Sequence, residues 1–163
     1  MNNVLLVADS GPLIGLAGVS QLNLLPILYH RIVAPLAVIN EIATGEQNVS
    51  SRNFLDQTTW LKHIKVESLL ETLSGALGRG ETEAISLAKQ LPHSRLLLDD
   101  HRARKFADTL NLEVIGSAGI LVQAKRRNFI QEVVPILYLM RENGYYISDR
   151  IIHRAAFIAN ETI

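Results

Sequence analysis

Val4-Leu5-Leu6-Val7-Ala8-Asp9-Ser10-Gly11-Pro12-Leu13-Ile14 carries an unbroken apolar run straight into a carboxylate and then into a Gly-Pro break. A continuous apolar run of this length is the pattern of a strand buried on both faces, as in parallel sheets covered by helices. Pro12 suits the first turn of a following helix, where its missing amide hydrogen would lack a partner anyway. Arg95-Leu96-Leu97-Leu98 ends in the same way, at Asp99-Asp100. In open parallel sheets, ligands bind beyond the carboxyl ends of the strands. Two strands that each deliver an acid to that edge predict one acidic pocket assembled from distant sequence.

The pattern extends outward from these two strands. Leu22, Leu25 and Leu28 predict a short helix interrupted near Pro26, and Arg31–Ala34 a second strand ended by Pro35. Ala37–Ala43 reads as a helix that stops near Gly45, and the polar stretch Glu46–Thr59 as a loop or loosely held helix. Trp60–Val66 is a further strand. Gly75–Gly80 leads into a helix whose Ala84, Leu87, Ala88 and Leu91 repeat at i, i+3, i+4, i+7. Ala103, Phe106, Ala107 and Leu110 mark the helix after Asp100, and Leu112–Ile115 a last short strand. Ser117 is a candidate N-cap, Asn143-Gly144 a helix end, and Ser148 the N-cap of the final helix. Alternating strands and helices predict an α/β sandwich with a mainly parallel sheet. Neither a repeat nor a linker divides residues 1–163, so one domain is expected.

The 163 residues are 48% hydrophobic and 20% charged, which fits a globular chain and excludes a disordered one. The absence of cysteine removes disulfides and thiolate-bound zinc from consideration and fits a reducing, cytoplasmic setting. No apolar run reaches membrane-spanning length, and no basic flank precedes the first one, so neither a span nor a signal peptide is expected. Sixteen basic and sixteen acidic side chains cancel, so any affinity for nucleic acid has to be local.

Asp9, Glu41, Glu83, Asp99 and Asp100 carry the chemistry, and each alone has an ordinary explanation. Asp9 and Asp100 suit helix caps, and Glu41 and Glu83 suit solvated helix faces. Together they differ. Carboxylates that converge in a partly dry site repel one another and take up protons unless a cation is present. Mg²⁺ resolves this, since it favours oxygen ligands and phosphate substrates. His30, His63, His93, His101 and His153 form no metal-spacing motif; His101, beside the acids, is a candidate phosphate contact. Arg102, Arg104 and Lys105 follow the acid pair and suit phosphate contacts, whereas Lys125-Arg126-Arg127 also suits a plain helix C-terminus.

Asp9-Ser10-Gly11-Pro12-Leu13-Ile14 resembles the opening of a PIN domain, and of a bacterial PIN-like subgroup related to toxin–antitoxin ribonuclease toxins. The resemblance continues through 35–42, 77–85, 97–104 and 116–121, and more weakly through 124–127 and 144–148. It implies a metal-dependent endoribonuclease with Mg²⁺ or Mn²⁺ and with RNA as substrate. A cognate antitoxin protein is an expected partner; a homodimer is expected too, and no membrane. Asp9 and Glu41 match the first and second acids of the family. Glu83 matches the third, with Glu81 as its competitor, and Asp99 or Asp100 the fourth, Asp100 aligning better; Asp9, Glu41, Glu83 and Asp100 are the implied metal ligands. Ser10 matches a hydroxyl position beside the first acid. In this reading the acids hold one or two ions that activate a water, and Arg102 and Arg104 meet the substrate.

Two departures stand beside the match: Glu replaces the Asp frequent at the third acid, and the segment after Asp100 lacks the aromatic common in the toxin pattern. They keep a second reading open, a PIN-like binding or assembly module with weak or no catalysis. Ile130, Val133, Val134 and Leu137 offer either core or a dimer face. A phosphatase using Asp9 as nucleophile is disfavoured, because position 11 is Gly where a second Asp is usual.

Overall fold

The computed structural model describes residues 2–45, 54–71 and 75–163. Five strands form one sheet: β1 (Asn2–Ala8), β2 (Tyr29–Pro35), β3 (Leu61–Ile64), β4 (Ser94–Leu97) and β5 (Glu113–Ile115). Their order is β3-β2-β1-β4-β5, and every neighbouring pair runs parallel. The helices are α1 (Ser10–Gly18), α2 (Leu24–Leu28), α3 (Leu36–Thr44), α4 (Arg79–Gln90), α5 (His101–Thr109), α6 (Ser117–Arg126), α7 (Val134–Glu142) and α8 (Asp149–Ala159).

Side-chain alternation along the strands divides the core. Leu6, Ala8, Ile32, Ala34 and Leu97 pack under α1, α2, α3 and the C-terminal helices. Leu5, Val7, Val33, Leu96 and Leu98 face α4 and α5 instead. Each strand is therefore apolar on both sides, and the sheet lies between two helical layers. The α/β class and the parallel sheet follow the expectation from sequence.

Local differences have local causes. Pro26 sits inside α2 without breaking it, at the third residue of a five-residue helix. An amide that early in a helix has no intrahelical partner to lose. Residues 46–53 of the expected loop lie outside the described residues; beyond them Leu55–Gln57 forms a 3₁₀ turn beside buried Phe54. Ser117 is the first residue of α6 and Gly116 holds the cap position, so the hydroxyl is free for another use. Ser148 does cap α8, accepting from the Ile151 amide at 3.3 Å. Val133, Val134 and Leu137 are buried within this chain, so they serve as core.

The chain runs outward from β1 through β2 to β3, then returns to place β4 on the other side of β1. The order therefore reverses between β1 and β4, and such a switch point opens a crevice at the carboxyl ends. The Asp9 amide donates to the Leu97 carbonyl at 3.0 Å, which ties the two strand ends together there.

Candidate active site

Asp9 leaves β1 at this crevice and occupies the N-cap position of α1, yet its side chain makes no capping hydrogen bond. The plain capping explanation therefore fails for Asp9. It is 5% exposed, and its Oδ1 is buried without a partner among the described residues. Burial pushes its carboxyl up to about 7 from an ordinary 3.8, against a lowering by the Ser10 amide; Glu81, Glu41 and Asp99 push it further. A buried acid with one oxygen unpartnered, held among three others, is an arrangement that costs stability unless something compensates it.

Of the other acids, Glu41, Asp99 and Asp100 rest on helix N-termini. Glu41, on α3, accepts from the Gly80 amide at 2.8 Å and from the Ser10 hydroxyl at 2.9 Å. A Cβ on Gly80 would lie 2.5 Å from Glu41 Oε2, so glycine is what lets α4 approach this carboxylate. Asp99 turns to α6, where Oδ1 accepts from the Ser117 amide at 2.8 Å and Oδ2 accepts from the Ser117 and Tyr145 hydroxyls. A Cβ on Gly116 would meet Asp99 Oδ1 at 2.7 Å. Asp100 caps α5 through the Ala103 amide at 2.8 Å, as its plain reading expected. Partial positive charge at helix starts makes each of these placements favourable.

Glu83 and Glu81 part company. Glu83 is 5% exposed; its Oε2 accepts from the Ala37 amide at 3.1 Å and its Oε1 from Arg79 Nε at 3.3 Å. Both oxygens thus clamp the start of α3 to α4, and Glu83 is not among the acids that act on Asp9. Glu81 is: burial raises its carboxyl, Asp100 and Glu41 raise it further, and Arg102 lowers it. The structure gathers Asp9, Glu41, Glu81 and Asp99 about the crevice, with Asp100 beside Glu81 and Ser10 beside Glu41.

The basic groups separate as well. Arg102 stays exposed near Glu81, while Arg104 turns inward and donates to the Leu98 carbonyl at 3.0 Å. Arg104 therefore braces the end of β4. His101 and Lys105 are exposed on α5. Lys125 pairs with Glu161 at 2.7 Å, at the end of α6 away from Ser117, which favours the plain reading of that cluster. Sequence reasoning passed over Tyr145, Ser117 as the partner of Asp99, and Gly80. Tyr145 follows the Asn143-Gly144 helix end with no motif of its own; burial raises its phenol, as does neighbouring Asp99, so it stays a donor.

Carboxylate oxygens without thiolate or a histidine set match a hard divalent cation, and Asp9 Oδ1 is an oxygen open to one. Among the described residues, no three acids or histidines converge on a common point, since Glu41 and Asp99 face protein donors instead. No helix among them is long and apolar enough to cross a membrane.

A family model described as "PIN domain" matches residues 5–161. A solved PilT N-terminus domain protein, SSO1118 from the hyperthermophilic archaeon Sulfolobus solfataricus P2, is similar in fold. Its TM-score is 0.55 at 18% identity, covering 74% of this chain and 93% of that one. No curated protein matches.

Proposed function

Because the chain belongs to the PIN-domain family, whose members are generally nucleases and usually use divalent metals, we propose that it is a metal-dependent endoribonuclease. The observation that carries this reading is Asp9: a buried carboxylate with an unpartnered oxygen, beside Glu81, Glu41 and Asp99 at the sheet's switch point.

Asp9, Glu41 and Glu81 are the proposed ligands of Mg²⁺ or Mn²⁺, with Asp99 and Asp100 bordering them. The chemistry such an ion supplies is neutralisation of phosphate charge and activation of water. Glu81, with Asp100 and Glu41 raising its carboxyl, takes the third-acid role, and Glu83 holds α3 against α4. Ser10 fixes Glu41 through its hydroxyl, while Ser117 and Tyr145 fix Asp99. Arg102, exposed at the rim, is the proposed contact to substrate phosphate. A role as the toxin of a toxin–antitoxin pair, held in check by a cognate antitoxin protein, accords with this activity.

The engagement of Glu41 and Asp99 by protein donors favours a second reading, a PIN-like binding or assembly module with weak catalysis. RNA cleavage by the purified protein with and without Mn²⁺ separates the two. The nuclease reading predicts Mn²⁺-dependent cleavage that Asp9→Asn reduces by more than about 100-fold, given that even the outer partners of metal ligands are worth 10–100-fold. Cleavage that Asp9→Asn leaves unchanged contradicts it.

A further inference from the structure

An open cleft of about 440 Å³ lies between α3 and α4, outside the acidic pocket but sharing Glu41 with it. Lys65 enters it directly after β3, from the same carboxyl edge of the sheet that delivers Asp9 and Asp99. Lys65 is exposed and makes no ion pair or hydrogen bond among the described residues. Arg79 stands opposite on the first turn of α4, with its side chain 75% exposed. Only its Nε is engaged, by Glu83, so the terminal nitrogens of its planar fork keep their donors. Leu36 and Val66 add apolar wall, and Asn40 adds an amide with both donors and acceptors.

The acids in this cleft do not cancel those cations toward solvent. Glu83 is 6% exposed in its side chain and is compensated by Arg79 Nε and the Ala37 amide. Glu41 faces Gly80 and Ser10, on the pocket side. The edge therefore presents acids over β1 and β4 and accessible cations beyond β3. That polarity suits a chain of phosphates, with one at the acid pocket, where a bound cation would offset the carboxylates, and the next at Lys65 and Arg79.

We propose that the cleft between α3 and α4 is a subsite for the ribonucleotide that flanks the scissile phosphate. Lys65 and Arg79 take its phosphate, Leu36 and Val66 pack against its base, and Asn40 meets polar edges. The volume falls within the range of small-ligand sites, and phosphate contacts of this kind position a strand without reading its sequence. The proposal rests on the nuclease reading, because it assigns one of that activity's substrate contacts.

The test is a titration of the Asp9→Asn protein with a fluorescent single-stranded oligoribonucleotide across a KCl series. Lys65→Ala, Lys65→Glu and, as a control at the far end of α6, Arg127→Ala are made in the same background. Cleavage by the otherwise wild-type protein in Mn²⁺ is measured in parallel, and thermal melts check that each variant folds. Lys65→Ala is expected to weaken binding several-fold at low salt and to reduce the slope of log affinity against log salt by about 0.7, the loss of one single-strand phosphate contact. Lys65→Glu weakens binding further, and Arg127→Ala leaves it unchanged. Cleavage accompanied by Lys65 variants with unaltered affinity and slope overturns the subsite and leaves the nuclease reading standing. Lys65-dependent binding without cleavage keeps the cleft as an RNA-phosphate site but overturns the nuclease reading, and with it the cleft's place beside a scissile phosphate. Neither binding nor cleavage overturns both.

Discussion

Asp9 concentrates the energetic conflict of this fold in one side chain. Its carboxyl is held near 7 in the folded chain, against an ordinary 3.8. The folded form thus binds the proton more tightly than the unfolded form. Below about pH 4 both states are protonated and nothing is lost. Between pH 4 and 7 the unfolded chain ionises first, so stability falls, and above pH 7 the full penalty, roughly 4 kcal/mol, is present. Asp9→Asn removes the charge, so in EDTA its melting temperature should exceed that of the wild type by a margin that widens from pH 4 to pH 7. A margin that does not change with pH counts against the burial argument. Glu81 and Glu83 supply the second prediction at this scale. Glu83→Ala strips the Ala37 amide and Arg79 of a buried charged partner and should cost about 1.5–3 kcal/mol in denaturant unfolding. Glu81→Gln, which removes a carboxyl held above its ordinary range, should not lower stability and should abolish metal-dependent cleavage. The reverse pattern reassigns the two.

Helix starts organise the site at the scale of elements. Glu41 accepts from the start of α4, Asp99 from that of α6, Asp100 from that of α5 and Glu83 from that of α3, each through a backbone amide in the first turn. A parallel sheet makes this possible, because each strand's carboxyl end leads toward the start of a following helix. Gly80 is the tightest of these junctions. In Gly80→Ala the new methyl group displaces the Glu41 carboxylate, which sits on a flexible side chain. Cleavage should therefore fall while the thermal melt shifts little; a large loss of stability with intact activity speaks against this geometry. Tyr145, from the loop between α7 and α8, couples the C-terminal helices to Asp99. Tyr145→Phe should lower unfolding free energy by about 1.5–3 kcal/mol, as expected for a hydrogen bond to a charged group.

Across the whole molecule, the reversal of strand order between β1 and β4 explains why residues 90 positions apart share a pocket. Much of this was legible in the sequence. The apolar runs ending at Asp9 and Asp99 announce two buried parallel strands, and the acids at their ends announce an edge site. The choice between Glu81 and Glu83 was not legible, since residues two apart on one helix differ only in which way each faces. The side-chain contacts of Asp99 were also hidden, because Ser117 reads as a cap and Tyr145 arrives from a distant loop without a motif. Arg104 misled for a similar reason: its proximity to the acids in sequence does not reveal that it turns under β4 to Leu98. The balanced net charge left any phosphate contact to local features, and Lys65 and Arg79 are the accessible pair on which the proposed subsite rests.

The central claim is that the acids around Asp9 form a site for a divalent cation. Calorimetric titration of Mn²⁺ into the wild-type protein and into Asp9→Asn and Glu81→Gln tests it most directly. Saturable, stoichiometric binding by the wild type that both substitutions weaken by at least about 10-fold is the predicted result. No binding by the wild type, or equal affinity in all three proteins, contradicts it.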